Sequence, residues 1–346
     1  MHIVITGAAG FLGKKLVQAL LAKGSLIRQQ GELQAIECIT AVDIVALKGV
    51  SDPRLKVVCG DISQISELER LIGDRTDSVF HLAAVVSGQA EQDFDLGMKI
   101  NVDAARHIMD RLRQLPQRIR LVTTSSVAVF GGKLPHKVAD DQVWMPQSSY
   151  GTQKAINDLL LADYSRRGFI DGRSLRMPTI VVRPGHPNAA ASSFASAIIR
   201  EPLNGEAATC QVSRHTRLWL LSPARAVQAL IHGHDLDGSQ LDEGRVINLC
   251  GLSVTVAEML ASLQRLCGDE VASRVSFHQE QVIGDIVNSW PGDFHADYAR
   301  KLGFQANASF DEMISEYLTE PALTGGRCKG TMAAAMCRTV DPASAP

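Results

Sequence analysis

The stretch that most constrains this chain is a glycine-rich loop set between a short apolar run and an amphipathic segment. His2-Ile3-Val4-Ile5-Thr6 is rich in β-branched apolar residues, as a buried parallel strand requires. Gly7-Ala8-Ala9-Gly10-Phe11-Leu12-Gly13 follows at once, and Leu16, Val17, Leu20 and Leu21 then recur at helical spacing. The order is strand, tight turn, helix. In such a turn Gly7 permits the reversal, Gly10 lets the backbone approach a pyrophosphate, and Gly13 lets the helix pack on the strand. The helix start adds free N–H groups and a positive dipole end. Phe11 and Leu12, between the last two glycines, belong to the same candidate cofactor loop. The spacing is Gly-x-x-Gly-x-x-Gly rather than Gly-x-Gly-x-x-Gly, so the flanking strand and helix carry the argument for a dinucleotide.

The next strand, residues 36–42, ends in Asp43. An acid there binds adenosine ribose hydroxyls and repels a 2′-phosphate, favouring NAD over NADP. A solvated strand-end aspartate is the plainer alternative. An insertion at residues 23–37 lengthens the loop-to-acid gap beyond the usual ~20 residues. Lys14 and Lys15 read as surface charges but keep NADP as the lesser option. A third strand at 55–58 leads into Asp61 and Ile62, and a fourth at 78–82 into Ala83 and Ala84. Helical patterns between them give βαβαβ and a parallel sheet. Asp61 suits the adenine amino group, and the two alanines permit cofactor contact; each also fits a cap or plain packing. Asn101 is polar on a largely apolar helix face, which fits an interior hydrogen bond or a functional role. A fifth strand, 121–126, ends in the hydroxyls of Ser125 and Ser126, at the carboxyl end where ligands of open parallel sheets sit.

Ser149-Tyr150-Gly151-Thr152-Gln153-Lys154 supplies the chemistry. Residues four apart on a helix share a face, so an ammonium lies near a phenol. Free tyrosine, with a pKa near ~10, is a poor base at neutral pH. A nearby cation favours the phenolate, and Tyr150 becomes a candidate general base. An ordinary helix with a surface lysine has the same pattern.

The 346 residues carry a net charge of −2, so no basic excess points to nucleic acid or an anionic membrane. No apolar run is long enough to span a bilayer. The seven cysteines are scattered and form no Cys-x-x-Cys pair; no metal site is expected. With no secretory pattern at the start, a cytoplasmic protein with reduced thiols is the expectation.

Together these pieces resemble the extended branch of the short-chain dehydrogenase/reductases, the NAD-dependent epimerase/dehydratase family. The matching residues are Thr6 to the Gly13 loop, Asp43, Asp61-Ile62, His81-Leu82-Ala83-Ala84, Asn101, Ser125-Ser126-Val127-Ala128-Val129-Phe130-Gly131, and Tyr150 with Lys154. The resemblance covers about residues 1–320. It implies that Tyr150 exchanges the proton, that Lys154 binds the nicotinamide ribose and depresses the tyrosine pKa, and that Ser126 orients the substrate, with Ser125 beside it. It places the nicotinamide near Pro178 and Thr179, after a strand at 173–177, and a proton exit near Asn101. It also implies a homodimer built on the Tyr150 helix and a preceding long helix at roughly 91–115.

Val127-Ala128 stand where dehydratases of the family carry an Asp-Glu pair, which argues against water elimination. Thr179 and Arg217-Leu218-Trp219 differ from the nucleotide-sugar pattern. The donor-rich segment Arg183-Pro184-Gly185-His186-Pro187-Asn188, continuing to Ser192 and Ser193, could hold a small carboxylate and hydroxyls, with Arg217. Each arginine is also readable as a fold-stabilising charge. The texture of these two segments is most similar to D-erythronate dehydrogenases, which oxidise the C2 hydroxyl of a four-carbon sugar acid. A nucleotide-sugar 4-epimerase and a non-catalytic NAD(P)-binding sensor are the competing expectations. The expected architecture is a Rossmann-type parallel sheet with helices on both faces (residues 1–176) and a smaller C-terminal α/β substrate domain (mainly 177–320). Residues 246–249 read as a strand, 255–266 as an amphipathic helix, Trp290 as part of a turn bordering the pocket, and 324–346 as a loosely ordered tail.

Overall fold

The computed structural model describes residues 1–29, 31–185 and 189–319; Asn188 and the 324–346 tail lie outside the described residues. Seven strands form the main sheet: β1 (His2–Thr6), β2 (Cys38–Asp43), β3 (Leu55–Cys59), β4 (Ser78–His81), β5 (Ile119–Ser126), β6 (Ile170–Met177) and β7 (Val246–Asn248). Their spatial order is β3-β2-β1-β4-β5-β6-β7, and every neighbouring pair is parallel. The order reverses beside β1, and a crevice at such a switch point is where an open sheet binds its ligand.

The period of two along each strand sorts side chains between two cores. Ile3 and Ile5 join Ile39, Ala41, Phe80 and Val122 on one face; Val4 joins Val42, Val79 and Leu121 on the other. Helix α1 (Phe11–Lys23) covers the first face with Leu16, Val17 and Leu20. Helix α2 (Ala104–Arg113) covers the second with Ile108, Met109 and Leu112, joined by Leu161 of α3 (Ser149–Arg166). Each such side chain contributes roughly 1.5–3 kcal/mol by burial. A third core holds Val181, Phe194, Leu220, Met259 and Met313. It is built on a small sheet of Thr179–Ile180, Arg217–Leu221 and Leu252–Thr255. The helix Val256–Cys267 starts at a capping box made by Thr255 and Glu258, so only its first and last residues differ from the sequence reading. Among the described residues no helix is long and apolar enough to cross a membrane.

Three departures from the sequence reading have local causes. The insertion at 23–37 is a hairpin, Ser25–Ile27 paired with Leu33–Ala35, docked on the end of the helix Pro223–Asp235 by Asp235 accepting from the Ile27 N–H at 3.0 Å. The helix expected over 91–115 is segmented. Asp93 caps Leu96 N–H at 3.0 Å, a π-helical turn covers Met98–Asp103, and only then does α2 begin. Strand β6 begins three residues earlier than expected, at Ile170, and all eight of its residues are buried, two arginines and an aspartate included.

Those charges are tolerated because they neutralise one another. Asp171 faces Arg120 at 2.9 Å, Arg173 at 2.5 Å and Arg245 at 3.3 Å. Burial raises the Asp171 pKa, but the Arg173 and Arg120 charges outweigh it and hold the carboxyl below its ordinary value. Asp171→Asn leaves three guanidinium groups with no buried counter-charge and should destabilise the fold by about 3–5 kcal/mol. A depressed carboxylate contributes stability above its unfolded pKa of about 4 and loses it as pH falls through the folded value. Resistance of the wild type to urea should therefore weaken in acid, and the variant should show a shallower acid slope; equal slopes and midpoints would contradict this account.

Candidate active site

The carboxyl ends of β1, β4, β5 and β6 open on a cavity of about 370 Å³. The loop after β1 forms one wall through Gly7, Gly10, Phe11, Leu12 and Gly13. Gly7 has a φ of 71°, and a Cβ there would lie 2.6 Å from the Ala83 nitrogen. A Cβ on Gly13 would lie 2.1 Å from the Gly7 carbonyl oxygen. These two glycines are required by backbone contact alone. Gly10 is exposed, and its Cβ would meet only the Gly7 oxygen, at 3.2 Å, so the open side faces the cavity.

Asp43 stands beside this loop at the end of β2. Its carboxylate accepts from Ala9 N–H at 3.0 Å and Val45 N–H at 3.4 Å. Asp61 accepts from Ser63 N–H at 2.9 Å, and that bond holds its carboxyl below the usual range. Ile62 is buried in the core beneath, and Ala83 abuts Gly7. Leu82 and Ala84 line the cavity; Asp43, Asp61, Ile62 and Ala83 do not.

Ser125, Ser126, Tyr150, Lys154, Pro178 and Thr179 converge on the same cavity. The two serines have different work. Ser125 is buried and donates to Asp158 at 2.9 Å, whereas half-buried Ser126, among the described residues, accepts only from Ala128 N–H at 3.1 Å. Ser148 caps α3 through Gly151 N–H at 3.2 Å and fixes where Tyr150 enters the helix. Gly151 matters too, since a Cβ there would lie 2.1 Å from the Ala128 oxygen. Its absence lets the helix start close against the residues after Ser126, a role the motif alone does not reveal.

Lys154 is buried, donates to the Thr124 carbonyl at 2.8 Å, and places Nζ 5.6 Å from the Tyr150 ring centre. Burial pulls its pKa down to about 8, against the pull of the Asp158 carboxylate. Burial pushes the Tyr150 phenol up to about 12. In the chain alone burial therefore sets the shift of the phenol, opposite in sign to what the Tyr-x-x-x-Lys spacing suggests.

Asn101 lies outside the cavity, buried in the π-helical turn. Its side chain accepts from Val85 N–H at 2.8 Å, donates to the Val85 carbonyl at 3.1 Å, and donates to Gln153 at 2.7 Å. It clasps the segment after β4 to α3. The Asn101 carbonyl accepts from Asn157 at 2.5 Å.

Arg183 and Ser192 line the cavity; Arg217 does not. Arg217 is partly exposed, 3.4 Å from Ser253 and 3.8 Å from Glu258. Arg183 is the informative cation. Among the described residues no carboxylate pairs with it, and burial together with the charge of Arg200 pulls its pKa down to about 10. Arg200 lies behind it, donating to the Arg183 carbonyl at 2.9 Å and pairing with Glu201 at 2.5 Å. The sequence reading missed Ser87, which lines the cavity and accepts from Ala191 N–H at 3.1 Å. A Cβ on neighbouring Gly88 would lie 2.1 Å from the Ala189 oxygen, so the Arg183–Ser192 side of the cavity is held by close backbone approach. Trp290 closes another side.

A D-erythronate dehydrogenase from Cupriavidus necator is 54% identical over 323 residues, 93% of this chain and 99% of that protein. A D-erythronate dehydrogenase from Haemophilus influenzae is 42% identical over 319 residues, 92% of this chain and 99% of that one. Among solved structures, the nucleoside-diphosphate-sugar epimerase from Agrobacterium tumefaciens is 42% identical, covers 95% of this chain and 96% of its own, and superposes with a TM-score of 0.87. Residues 3–232 match the model of the NAD dependent epimerase/dehydratase family, and this chain belongs to that family.

Proposed function

We propose that this protein is an NAD-dependent dehydrogenase that oxidises the C2 hydroxyl of D-erythronate to 2-dehydro-D-erythronate. The observation that carries the choice of an acid is Arg183, a cation in the cavity with no carboxylate partner among the described residues. A guanidinium so placed has its bidentate face free for a substrate carboxylate. It would also suit a phosphate; the 54% and 42% identical relatives, both D-erythronate dehydrogenases, favour the acid.

The residues present fit NAD. The open side of Gly10 and the start of α1 can take a pyrophosphate, and Asp43 can meet the adenosine ribose hydroxyls and disfavour a 2′-phosphate. Leu82, Ala84, Ser125, Pro178 and Thr179 complete that wall. When bound, the cofactor supplies a hydride acceptor for the carbinol carbon. Tyr150 takes the hydroxyl proton, and Ser126 orients that hydroxyl. Lys154 opposes the desolvation that would otherwise keep the phenol protonated. Ser192 and Arg183 hold the acid so that one hydroxyl reaches Tyr150. Residues 1–176 serve as the cofactor unit and 177–320 mainly as the substrate unit. A cytoplasmic homodimer is the assembly we favour; Phe94, 58% exposed, and Leu159, 61% exposed, are apolar positions on the helical segments it would use.

Purified protein mixed with NAD and a panel of four-carbon sugar acids should produce NADH with D-erythronate and little with its stereoisomers. UDP-sugars serve as controls. Isomerisation of a UDP-sugar without net NADH would replace this reading with an epimerase. Bound NAD with no turnover of any substrate would replace it with a sensor.

A further inference from the structure

One buried acid on the Tyr150 helix remains without a role in the chemistry above. Asp158 is 1% exposed and lies one turn beyond Lys154, on the same helix face. Its Oδ2 accepts from Ser125 at 2.9 Å and from Arg176 Nε at 2.9 Å; its Oδ1 accepts from Ser174 at 2.6 Å. Ser125 is next to last in β5, and Ser174 and Arg176 lie in the second half of β6. Arg176 in turn stacks on Trp144, 3.9 Å from its ring centre, and lies 5.1 Å from that of Phe130. One carboxylate thus joins the serine beside Ser126, the helix of Tyr150 and Lys154, and the strand that leads to Pro178.

We infer that Asp158 is a positioning residue for the proton transfer: its carboxylate pins the Tyr150–Lys154 helix to the strand ends and faces the Lys154 ammonium from one turn behind. The inference rests on the roles given above to Tyr150 and Lys154. A small space of about 10 Å³, room for one water at most, is lined by Lys154, Asp158, His81, Thr123, Asn157 and Ser174 among others. His81, on β4, is held neutral by burial and by the Lys154 charge, its pKa lowered to about 3. Among the described residues, the titratable groups that bear on Lys154 are therefore Tyr150 and Asp158 on its own helix and His81 on β4, while Arg176 of β6 pairs with Asp158. Glu91 meets α3 at Ser149 N–H, and Asp110 of α2 meets it at Tyr164, both at the ends of the helix. The acid whose charge acts on the lysine is Asp158, and it favours the protonated form.

The sign of its effect follows. Tyr150 and Lys154 share their protons as a pair, and oxidation needs the form with one proton gone, carried as phenolate and ammonium. In the chain alone burial raises the Tyr150 pKa and lowers that of Lys154 to about 8, which favours neutral phenol and amine, so the charge of Asp158 helps set how much of the active form exists. The rate of oxidation should rise with pH as the pair loses that proton. Asp158→Asn removes the charge that favours the ammonium. The rising limb of kcat should move to lower pH by about one unit, and the plateau should fall at least about tenfold as the remaining proton shifts to the tyrosine. Asp158→Glu keeps the charge but displaces it, so the limb should stay in place while the plateau drops several-fold. A second readout needs no turnover: the pH dependence of Lys154 acetylation by acetic anhydride, followed by mass spectrometry, should shift to lower pH in the Asn variant. If the Asn variant does not fold, the Glu variant carries the test, and a wild-type plateau in it overturns the inference. So does an Asn variant whose limb and labelling profile stay where the wild type has them, with kcat scaled equally at every pH. A wild type that oxidises none of the acids overturns the proposed function instead, and the labelling comparison still decides the role of Asp158.

Discussion

Tyr150→Phe should lower kcat for the sugar acid by about 10²–10⁴-fold, the usual contribution of a positioned acid–base group, while leaving NAD affinity close to wild type. The substitution is narrow in physical terms. Phenylalanine keeps the ring, so the wall near Lys154 Nζ, 5.6 Å from the ring centre, is preserved. The Ser148 cap on Gly151 N–H and the close approach of Gly151 to Ala128 are backbone features that the change does not touch. Only the phenolic oxygen is lost. The Lys154 bond to the Thr124 carbonyl stays, so the cofactor wall should not move. Isothermal titration with NAD and initial rates of NADH formation separate the two effects. Unchanged turnover would remove Tyr150 from the mechanism. A parallel loss of NAD affinity would make it a cofactor ligand rather than a proton carrier.

How far the sequence foretells this site depends on how local each constraint is. Gly7 and Gly13 are legible because the strand–turn–helix geometry is settled within a dozen residues, and the contacts of their missing Cβ atoms fall within that unit or on the adjoining strand end. Asp43 is legible as a strand-end acid, but its bond to Ala9 N–H depends on β2 lying beside β1. The four-residue spacing of Tyr150 and Lys154 shows that they are neighbours; it carries no information on burial, and burial sets the sign of both shifts. Asn101 illustrates the same limit. Its polarity is visible, yet all three side-chain bonds go to Val85 and Gln153, brought to it by the π-helical turn. Asp171, Arg173 and Arg176 look unsuited to a central strand until Arg120, Arg245 and Asp158 arrive from elsewhere in the chain. Arg183 and Arg217 are indistinguishable as letters; only the fold puts the first in the cavity and the second beside Glu258.

Arg183→Met should separate recognition from stability. Methionine is unbranched and close in length, so it fills the site while removing the charge and the bidentate face. If Arg183 holds the substrate carboxylate, kcat/KM for D-erythronate should fall by about 10²–10³-fold, on the order of 3–4 kcal/mol, within the range for truncating one partner of a buried charge pair. The preference for the acid over erythritol, the neutral polyol of the same length, should collapse with it, because only the acid uses the guanidinium. Arg183→Lys should fall between, keeping the charge without the fork. Thermal stability should move the other way. Burial and the Arg200 charge pull the Arg183 pKa down to about 10, so the folded state disfavours this charge at neutral pH. A group whose pKa is lowered on folding withdraws stability wherever it is charged, and at pH 7 it is fully charged. Removing it should raise the melting temperature even as activity falls, the pairing expected when a cation is kept for a ligand and not for the fold. Equal losses with the acid and with erythritol would make Arg183 a structural residue, as would a melting temperature that falls with the rate. In either case the carboxylate would have to be held elsewhere in the cavity.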